Sequence, residues 1–256
     1  MDESLMVIAV SGKGGTGKTT LAALIVRYLT RTHEAPLLAV DADPNSTLAD
    51  KLGLRVERTI GDLREDALKS KYDAPAGTPK QQTIEYEVQQ SVAEGKGFDL
   101  LVMGRGEGPG CYCSVNNMLR TFLADLSSGY RHVVIDNEAG IEHLSRRTDD
   151  KVDVMLVVGD GTPAGLKSAQ RIAELTTSLE LVRDRTWLVL NRVDDAGKTA
   201  REAGATTGLP LAGCVPVDPR IQDFELRGEP LLGMPEDSAA VVAINQMLQT
   251  IFGKQS

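Results

Sequence analysis

The chain has 256 residues, of which 41% are hydrophobic and 25% are charged, and its 28 basic and 36 acidic side chains give a formal net charge of −8. This composition is typical of a folded globular protein and excludes disordered and low-complexity classes. The acidic balance argues against a generally basic nucleic-acid-binding protein, so we expect no nucleic-acid partner. Three cysteines are too few for a disulfide framework and favour a reducing compartment.

The sequence carries no pattern of secretion or membrane insertion. The residues from Met1 to Leu5 lack the basic and apolar regions of a secretion signal. No stretch approaches the roughly 18 apolar residues of a membrane-spanning helix. We therefore expect a cytoplasmic protein without a membrane partner.

Short apolar runs alternate with segments of helical periodicity. The runs are nearly continuous, as in strands that are covered on both faces, and they are Leu5–Val10, Leu37–Val40, Leu100–Met103, His132–Ile135, Val152–Val158, Trp187–Leu190 and Leu211–Val217. Apolar residues at helical spacing occur in Leu21–Leu29, Leu166–Ala173 and Val241–Ile251. This alternation predicts an α/β fold with one doubly wound, mainly parallel sheet. We interpret the polar stretch Tyr72–Gln90 as a partly helical surface excursion, and residues 1–256 as a single domain.

A phosphate-binding loop follows the first predicted strand. The segment matches the P-loop pattern G-x-x-x-x-G-K-[ST] and consists of Gly12, Lys13, Gly14, Gly15, Thr16, Gly17, Lys18, Thr19 and Thr20. Glycines allow backbone N–H groups to surround phosphate oxygens, and the following helix adds the positive end of its dipole. Lys18 would supply a cation to the β- and γ-phosphates, and the Thr19 hydroxyl would bind Mg²⁺. The pattern predicts nucleotide binding.

Lys13 is a second lysine inside this loop. It lies too near the turn to fold back easily onto its own nucleotide, so it could instead reach phosphates in a neighbouring subunit. A solvated surface lysine is an equally good interpretation from the local sequence.

The loop resembles the deviant Walker A motif of the MinD, ParA and nitrogenase iron-protein group of dimeric P-loop ATPases. The resemblance covers almost the whole chain, because later motifs follow in the order of that family. It implies an ATP-favoured homodimer in which Lys13 crosses the interface to the partner's phosphates. Lys13 and Lys18 would then both be catalytic.

Three carboxylates follow predicted strands at the sheet edge where open α/β folds bind ligands. Asp41 and Asp43 end the second run, where a simple Asx turn is the alternative interpretation. The resemblance implies that Asp43 orients the attacking water and that Asp41 lies near the Mg²⁺ shell. The run from His132 to Asp136 is typical of a Walker B strand, whose aspartate holds Mg²⁺ through water. Glu138, which follows where the family commonly has Thr-Pro, has no role that we can derive.

The resemblance also implies a binding site for the base. Asn191 would donate or accept a hydrogen bond to the base, and Pro216 and Asp218 would border the same pocket. Residues 191–194, Asn-Arg-Val-Asp, also resemble the Asn-Lys-x-Asp guanine reader of GTPases. The wider family resemblance favours ATP.

Cys111 and Cys113 occur just after a segment in which five of seven residues, 104–110, are glycine or proline, which predicts a surface loop. In an extended segment the two thiols point to the same side and can chelate one soft metal ion, although a redox-active pair is also possible. A tetrahedral site requires four ligands, and a two-fold dimer would provide Cys₄. Four sulfurs suit Zn²⁺ or an Fe–S cluster, and a flatter arrangement suits Ni²⁺.

The order of these motifs, with Gly-Pro-Gly-Cys-Tyr-Cys at 108–113 and Val-Ile-Asp-Asn-Glu-Ala-Gly-Ile-Glu-His at 134–143, resembles the CooC and AcsF type of ATPase. These ATPases mature nickel sites in carbon monoxide dehydrogenase and acetyl-CoA synthase. The resemblance implies that four interface cysteines bind Ni²⁺ or Zn²⁺ and that a nickel enzyme is the client. Cys214 lies in an apolar run, and we expect it to be a small buried residue.

Two other functions remain open at this stage. An iron-protein-like electron-transfer ATPase would carry a [4Fe–4S] cluster, but its cysteines come from two separate segments and none follows Asp136 closely here. A MinD- or ParA-like spatial organiser that binds membranes would need a basic amphipathic C-terminal helix. The segment Val241–Ser256 contains Lys254 as its single cation.

Overall fold

The computed structural model describes residues 5–32, 36–68, 86–104, 129–137, 152–193 and 196–253. Its strands form one sheet in the order β3-β4-β2-β5-β1-β6-β7-β8. Their bounds are β1 (Met6–Gly12), β2 (Leu37–Ala42), β3 (Ala93–Glu94), β4 (Asp99–Val102), β5 (His132–Asn137), β6 (Val152–Gly159), β7 (Val182–Asn191) and β8 (Leu211–Val215). The described pairings are parallel except for β3 with β4. The predicted doubly wound, mainly parallel sheet is confirmed.

Helices cover both faces of this sheet. They are α1 (Lys18–Thr32), α2 (Leu48–Leu52), α3 (Ile60–Leu68), α4 (Pro163–Ser178), α5 (Ala196–Thr207), α6 (Pro219–Arg227) and α7 (Ala239–Gly253), with a 3₁₀ turn at Leu231–Gly233. Side chains from α1 and α7 form one apolar cluster with Ile8 and Val10 of β1. Side chains from α3, α4 and α5 form a second cluster with Ala9, because successive strand residues point to opposite faces.

The apolar face of α7 belongs to the first of these clusters. Val241, Ile244, Met247, Leu248 and Ile251 are all buried there. Over the part of the chain that the structure describes, no helix has both the length and the apolar character needed to cross a bilayer.

Several element bounds differ from the sequence prediction. β7 begins at Val182, whereas the sequence predicts a start at Trp187. The prediction starts too late because three polar residues at 183–185 interrupt the apolar pattern, although the strand is paired along β6. β8 ends at Val215, and Val217 beyond it is 54% exposed. Within Tyr72–Gln90, residues 86–90 are helical, and 72–85 lie outside the described residues.

Candidate nucleotide site at the carboxyl edge of the sheet

The P-loop follows β1, which lies between β5 and β6 near the centre of the sheet. Its turn is closed by Thr16, whose backbone N–H and hydroxyl both donate to the carbonyl of Lys13, at 3.3 and 2.8 Å. Gly15 and Gly17 have φ angles of +83° and +89°, which side chains with a Cβ rarely adopt. A Cβ on Gly17 would also collide with the amide nitrogen of Asn191. These glycines therefore allow the loop to adopt a phosphate-binding shape.

The first helix begins within the loop. Lys18 opens α1 and is buried, while Thr19 and Thr20 are partly exposed beside it. The helix N-terminus directs unpaired N–H groups and a positive dipole end to the same place. This combination of backbone donors and a buried ammonium group is suited to binding a polyphosphate.

Two buried carboxylates lie beside the loop. Asp41 on β2 and Asp136 on β5 are partners in the strand register, and both residues are completely buried. The Asp41 carboxylate accepts hydrogen bonds from the backbone N–H groups of Asp43 and Leu48, at 3.1 and 2.9 Å. Among the residues that the structure describes, none donates a hydrogen bond of normal geometry to either carboxylate oxygen of Asp136, although the Thr19 hydroxyl lies near enough to lower its pKa. The sheet edge thus holds a buried carboxylate that can still accept bonds from a ligand.

Burial changes the acidity of both groups. Burial raises the pKa of Asp41 to about 6, although its two backbone hydrogen bonds act in the opposite direction. Burial likewise raises the pKa of Asp136 to about 7, assisted by the charge of Asp41. The Thr19 hydroxyl and the Lys18 ammonium group oppose that rise and lie near enough to act on the carboxylate. A further cation at this position would stabilise both ionised forms.

These residues fit a magnesium ion. Mg²⁺ prefers hard oxygen ligands and is commonly held by one or two protein groups together with phosphates and water. Thr19 and Asp136 offer a hydroxyl and unpaired carboxylate oxygens, with Asp41 adjacent. Within the described ranges, no group of three or more His, Cys, Asp or Glu side chains gathers into a metal site. The protein alone would therefore contribute few ligands, as is usual for a metal that nucleotide phosphates complete.

Asp43 occupies the turn after β2. Its carboxylate accepts hydrogen bonds from the backbone N–H and the side-chain amide of Asn45, at 2.8 and 2.9 Å. This is an Asx turn, the simpler of the two interpretations of the sequence. The carboxylate is only partly buried, so a role toward a water molecule remains a prediction.

A cavity of about 380 Å³ opens between α1 and the segment that follows β8. It is lined by Thr20, Leu21, Leu24, Asn191, Arg192, Val215, Pro216, Val217, Asp218, Pro219, Ile221, Gln222, Glu225 and Ile244. The predicted base-pocket residues Asn191, Pro216 and Asp218 are therefore brought together on one cavity. Eight of the fourteen lining residues are apolar and six are polar or charged, and small-molecule sites likewise combine apolar surface with polar groups that orient the ligand.

Asn191 also supports the P-loop. Its side-chain Nδ2 donates to the carbonyl of Thr16 at 2.7 Å, and its Oδ1 accepts from the backbone N–H of Arg192 at 3.1 Å. The side chain thus joins the end of β7 to the loop while it borders the cavity. Base recognition by this amide stays a prediction.

The Asp218 carboxylate is hydrogen-bonded to neighbouring residues. It accepts hydrogen bonds from the backbone N–H groups of Arg220 and Ala240, both at 3.0 Å, and from the Ser238 hydroxyl at 2.5 Å. Burial tends to raise the pKa of Asp218, but these hydrogen bonds outweigh it and lower the pKa. Asp218 therefore fixes the start of α6 and with it one wall of the cavity.

The cysteine predictions have different outcomes. Cys111 and Cys113, like Glu138, lie outside the described residues. Cys214 is only partly buried, not fully buried as predicted, because β8 is the last strand in the sheet order and has one strand neighbour, β7. Desolvation raises the pKa of the Cys214 thiol, which makes it a poor nucleophile and a poor metal ligand at neutral pH.

Two features of the site were missed by the sequence prediction. The guanidinium of Arg192 donates to the carbonyl of Gly15 at 3.2 Å, although the sequence prediction assigned Arg192 no role. The side chains of Ser11 and Asn137, near the ends of β1 and β5, are buried and form no hydrogen bond with the residues that the structure describes. The resemblance of 191–194 to a GTPase motif was the available signal for Arg192, and no signal marked Ser11.

Comparison with known proteins agrees with this geometry. The chain is 42% identical to an uncharacterized ATP-binding protein of Methanocaldococcus jannaschii, over 98% of this chain and all of that protein. It is 28% identical to the carbon monoxide dehydrogenase accessory protein CooC of Rhodospirillum rubrum, over 87% of this chain and 88% of that protein.

Solved structures share the fold. A chain of the MinC:MinD cell division protein complex of Aquifex aeolicus superposes with a TM-score of 0.71 at 23% identity, over 97% of this chain and 96% of that chain. The family model of the CobQ/CobB/MinD/ParA nucleotide-binding domain matches residues 7–231. With a P-loop at the centre of the sheet, buried carboxylates beside it and this match over most of its length, the chain belongs to the CobQ/CobB/MinD/ParA family of nucleotide-binding proteins.

Proposed function

We propose that this protein is an ATP-dependent, homodimeric maturation factor that binds Ni²⁺ or Zn²⁺ through Cys111 and Cys113 and assists nickel-site assembly in a client enzyme. The observation that carries the proposal is the Cys-x-Cys pair in a Gly- and Pro-rich segment of a chain that also has a complete P-loop. The relative named as a carbon monoxide dehydrogenase accessory protein supports the proposal and makes that enzyme one candidate client. The motif resemblance described above makes acetyl-CoA synthase the other candidate.

ATP hydrolysis would be performed by the residues at the carboxyl edge of the sheet. Backbone N–H groups of the P-loop and the buried Lys18 would hold the phosphates in place. Thr19 and Asp136 would hold Mg²⁺, which when bound neutralises charge on the phosphates. Asp43 would orient the attacking water, and Asp41 would keep the carboxyl edge negative beside Asp136.

Lys13 would act across the dimer. Its carbonyl accepts hydrogen bonds from Thr16 within its own loop, and the residue is exposed. In a two-fold dimer each protomer would offer this ammonium group to the partner's phosphates. Closure of the dimer would then depend on ATP, and hydrolysis would release it.

The cargo metal would be bound on the same symmetry axis. Two thiolates from each protomer make the four-sulfur site that Zn²⁺ or Ni²⁺ requires. Because neither protomer alone supplies four ligands, opening of the dimer would weaken metal binding. The ATP cycle would in this way couple hydrolysis to metal release or to remodelling of the client.

Metal stoichiometry tests this proposal. The purified protein, equilibrated with Ni²⁺ and separately with Zn²⁺, is expected to bind about one ion per dimer, and the double variant Cys111→Ser/Cys113→Ser is expected to bind none. Cys214→Ala is the matched control, because Cys214 is a partly buried thiol outside the proposed site. ATP affinity should be equal in all three proteins. Full metal stoichiometry in the double variant would refute the proposal.

A spatial-organising ATPase is the second candidate, because relatives named as putative septum site-determining protein MinD match at 24% identity. Five apolar side chains of α7 are buried in the core and are unavailable to lie on a membrane surface: Val241, Ile244, Met247, Leu248 and Ile251. Co-sedimentation with anionic vesicles and with DNA in the presence of ATP separates the two candidates. Clear ATP-dependent binding to either would favour the organiser.

The iron-protein-like alternative is tested by anaerobic purification. Iron and sulfide in equal amounts, with a broad brown absorbance, would favour an electron-transfer ATPase over a nickel maturation factor.

A further inference from the structure

Arg192 lies at the junction of the P-loop and the cavity beside it. Its Nη1 donates to the carbonyl of Gly15 at 3.2 Å, and its side chain is among those that line the cavity. The backbone N–H of Arg192 donates to the side chain of Asn191. Arg192 therefore contacts the loop that would hold phosphates and also borders the space next to it.

The backbone of Arg192 is in an unusual conformation. Its φ is +60°, one of three positive values among the non-glycine residues that the structure describes. Such a conformation costs about 1–3 kcal/mol and persists where surrounding contacts hold it. Here the hydrogen bonds to Asn191 and Gly15 hold it, and they fix the direction in which the guanidinium leaves β7.

The cavity has the size and lining for a planar aromatic group. Its volume of about 380 Å³ lies in the range of small-molecule sites. Pro216, Val217 and Leu21 provide apolar surface on the segment after β8 and on α1, while Arg192 provides a planar cation. A guanidinium is weakly hydrated and stacks well on aromatic faces, and an edge bonded to a carbonyl leaves its face available.

We infer that Arg192 is a positioning residue for the nucleobase: its guanidinium, held by the Gly15 carbonyl, stacks on the base that occupies this cavity. The inference rests on nucleotide binding at the P-loop, but it does not depend on the cargo metal or the client. Because stacking acts on the π-face, the contact strengthens binding of any purine nucleotide rather than selecting between adenine and guanine. The P-loop itself would bind the phosphates.

Two ligands distinguish this role from a contribution to phosphate binding. Calorimetric titration with Mg²⁺ and either ATP or inorganic triphosphate compares a ligand that has a base with one that does not. Arg192→Ala is expected to weaken ATP binding about tenfold and to change triphosphate affinity by less than about twofold. Arg192→Lys should restore little of the loss, because an ammonium group can reach a carbonyl but offers no plane to a base.

Arg171→Ala is the control, because Arg171 is an exposed arginine on α4 and its loss removes the same charge. An equal loss of ATP and triphosphate affinity in Arg192→Ala would overturn the inference, and so would unchanged ATP affinity. Failure of the unsubstituted protein to bind ATP at all would overturn the proposed ATPase as well. If the unsubstituted protein binds ATP, either contrary result with Arg192→Ala would overturn only the stacking role of Arg192.

Discussion

Asp41 and Asp136 stand side by side in register on β2 and β5, and both carboxyl groups are buried beside the P-loop. Burial removes hydration from both carboxylates, and the charge of Asp41 further disfavours ionisation of Asp136, so both groups keep their protons to a higher pH than an exposed aspartate does. The pKa values of about 6 and about 7 express this effect. The metal-free protein therefore folds around a charge pair that is unfavourable at neutral pH.

This pair predicts how stability depends on pH. Because both pKa values are raised above the ordinary 3.8, the native state binds more protons than the unfolded state between about pH 4 and about pH 7. The free energy of unfolding of metal-free protein should therefore fall as pH rises through that window. Asp136→Asn should fall less steeply, as measured by urea unfolding in a chelator from pH 4.5 to 8. Asp223→Asn, at an exposed site on α6, is the control, and identical slopes in all three proteins would contradict the prediction.

Gly17 provides a test of the P-loop's shape. Gly17→Ala should abolish measurable ATP binding and lower the free energy of unfolding, because a Cβ would meet the Asn191 amide and because φ is +89°. Gly204→Ala on α5 is the matched control, since a Cβ there meets nothing within 4 Å. That change should leave ATP affinity unaltered and stabilise the helix by about 0.5–1 kcal/mol. Normal ATP affinity in Gly17→Ala would show that the loop tolerates a different shape.

The proposed role of Lys13 predicts activity in mixtures of inactive variants. Lys13→Ala should keep its ATP affinity within about twofold and lose roughly a thousandfold in hydrolysis rate, the lower end for a cation supplied in trans. Asp43→Asn should also bind ATP without hydrolysing it. A mixture of these two variants should recover activity. In a heterodimer, the Lys13→Ala protomer keeps its own Asp43 and receives an intact Lys13 from the Asp43→Asn protomer. Lys167→Ala, at an exposed site on α4, is the control and should be fully active. If the mixture of Lys13→Ala and Asp43→Asn is as inactive as each variant alone, action of Lys13 across a dimer is excluded.

Arg27 and Arg31 allow a buried and an exposed arginine on the same helix to be compared. Both contact Glu236, but Arg27 is 2% exposed and also donates to the carbonyl of Met234 at 2.7 Å, whereas Arg31 is 47% exposed. Arg27→Met should lower the free energy of unfolding by about 2–3 kcal/mol, because it leaves the Met234 carbonyl unpaired in the core. Arg31→Met should cost less than about 1 kcal/mol. Equal effects in chemical denaturation would show that burial does not decide the strength of these contacts.

Much of the fold could be predicted because strands covered on both faces are almost uniformly apolar. That pattern identified β1, β2, β5 and β6, and the helical periodicity identified α1 and α7. The pattern failed for β3, since the two residues Ala93 and Glu94 carry no periodicity. It also missed the first half of β7, where polar residues occur in a strand whose pairing with β6 is set by the rest of the sheet.

The site could be predicted only as far as local motifs reach. The glycines and Lys18 follow from the spacing of the P-loop, and the two aspartates follow from their positions after apolar runs. The contacts that hold the loop could not be predicted, because they depend on a strand order that places the end of β7 one strand beyond β6, the neighbour of β1. Arg192 reaches Gly15 across 177 residues of sequence. No local pattern encodes such a contact.

That separation has a consequence for the order in which the molecule is made. The P-loop is synthesised among the first residues of the chain, yet Thr16 and Gly15 receive their hydrogen bonds from side chains that emerge 175 and 177 residues later. Contacts of such long sequence separation form late, because they require closure of a large loop of chain. A nascent chain that ends before β7 lacks the residues that fix the loop, and nucleotide binding is expected to begin only after β7 has joined the sheet.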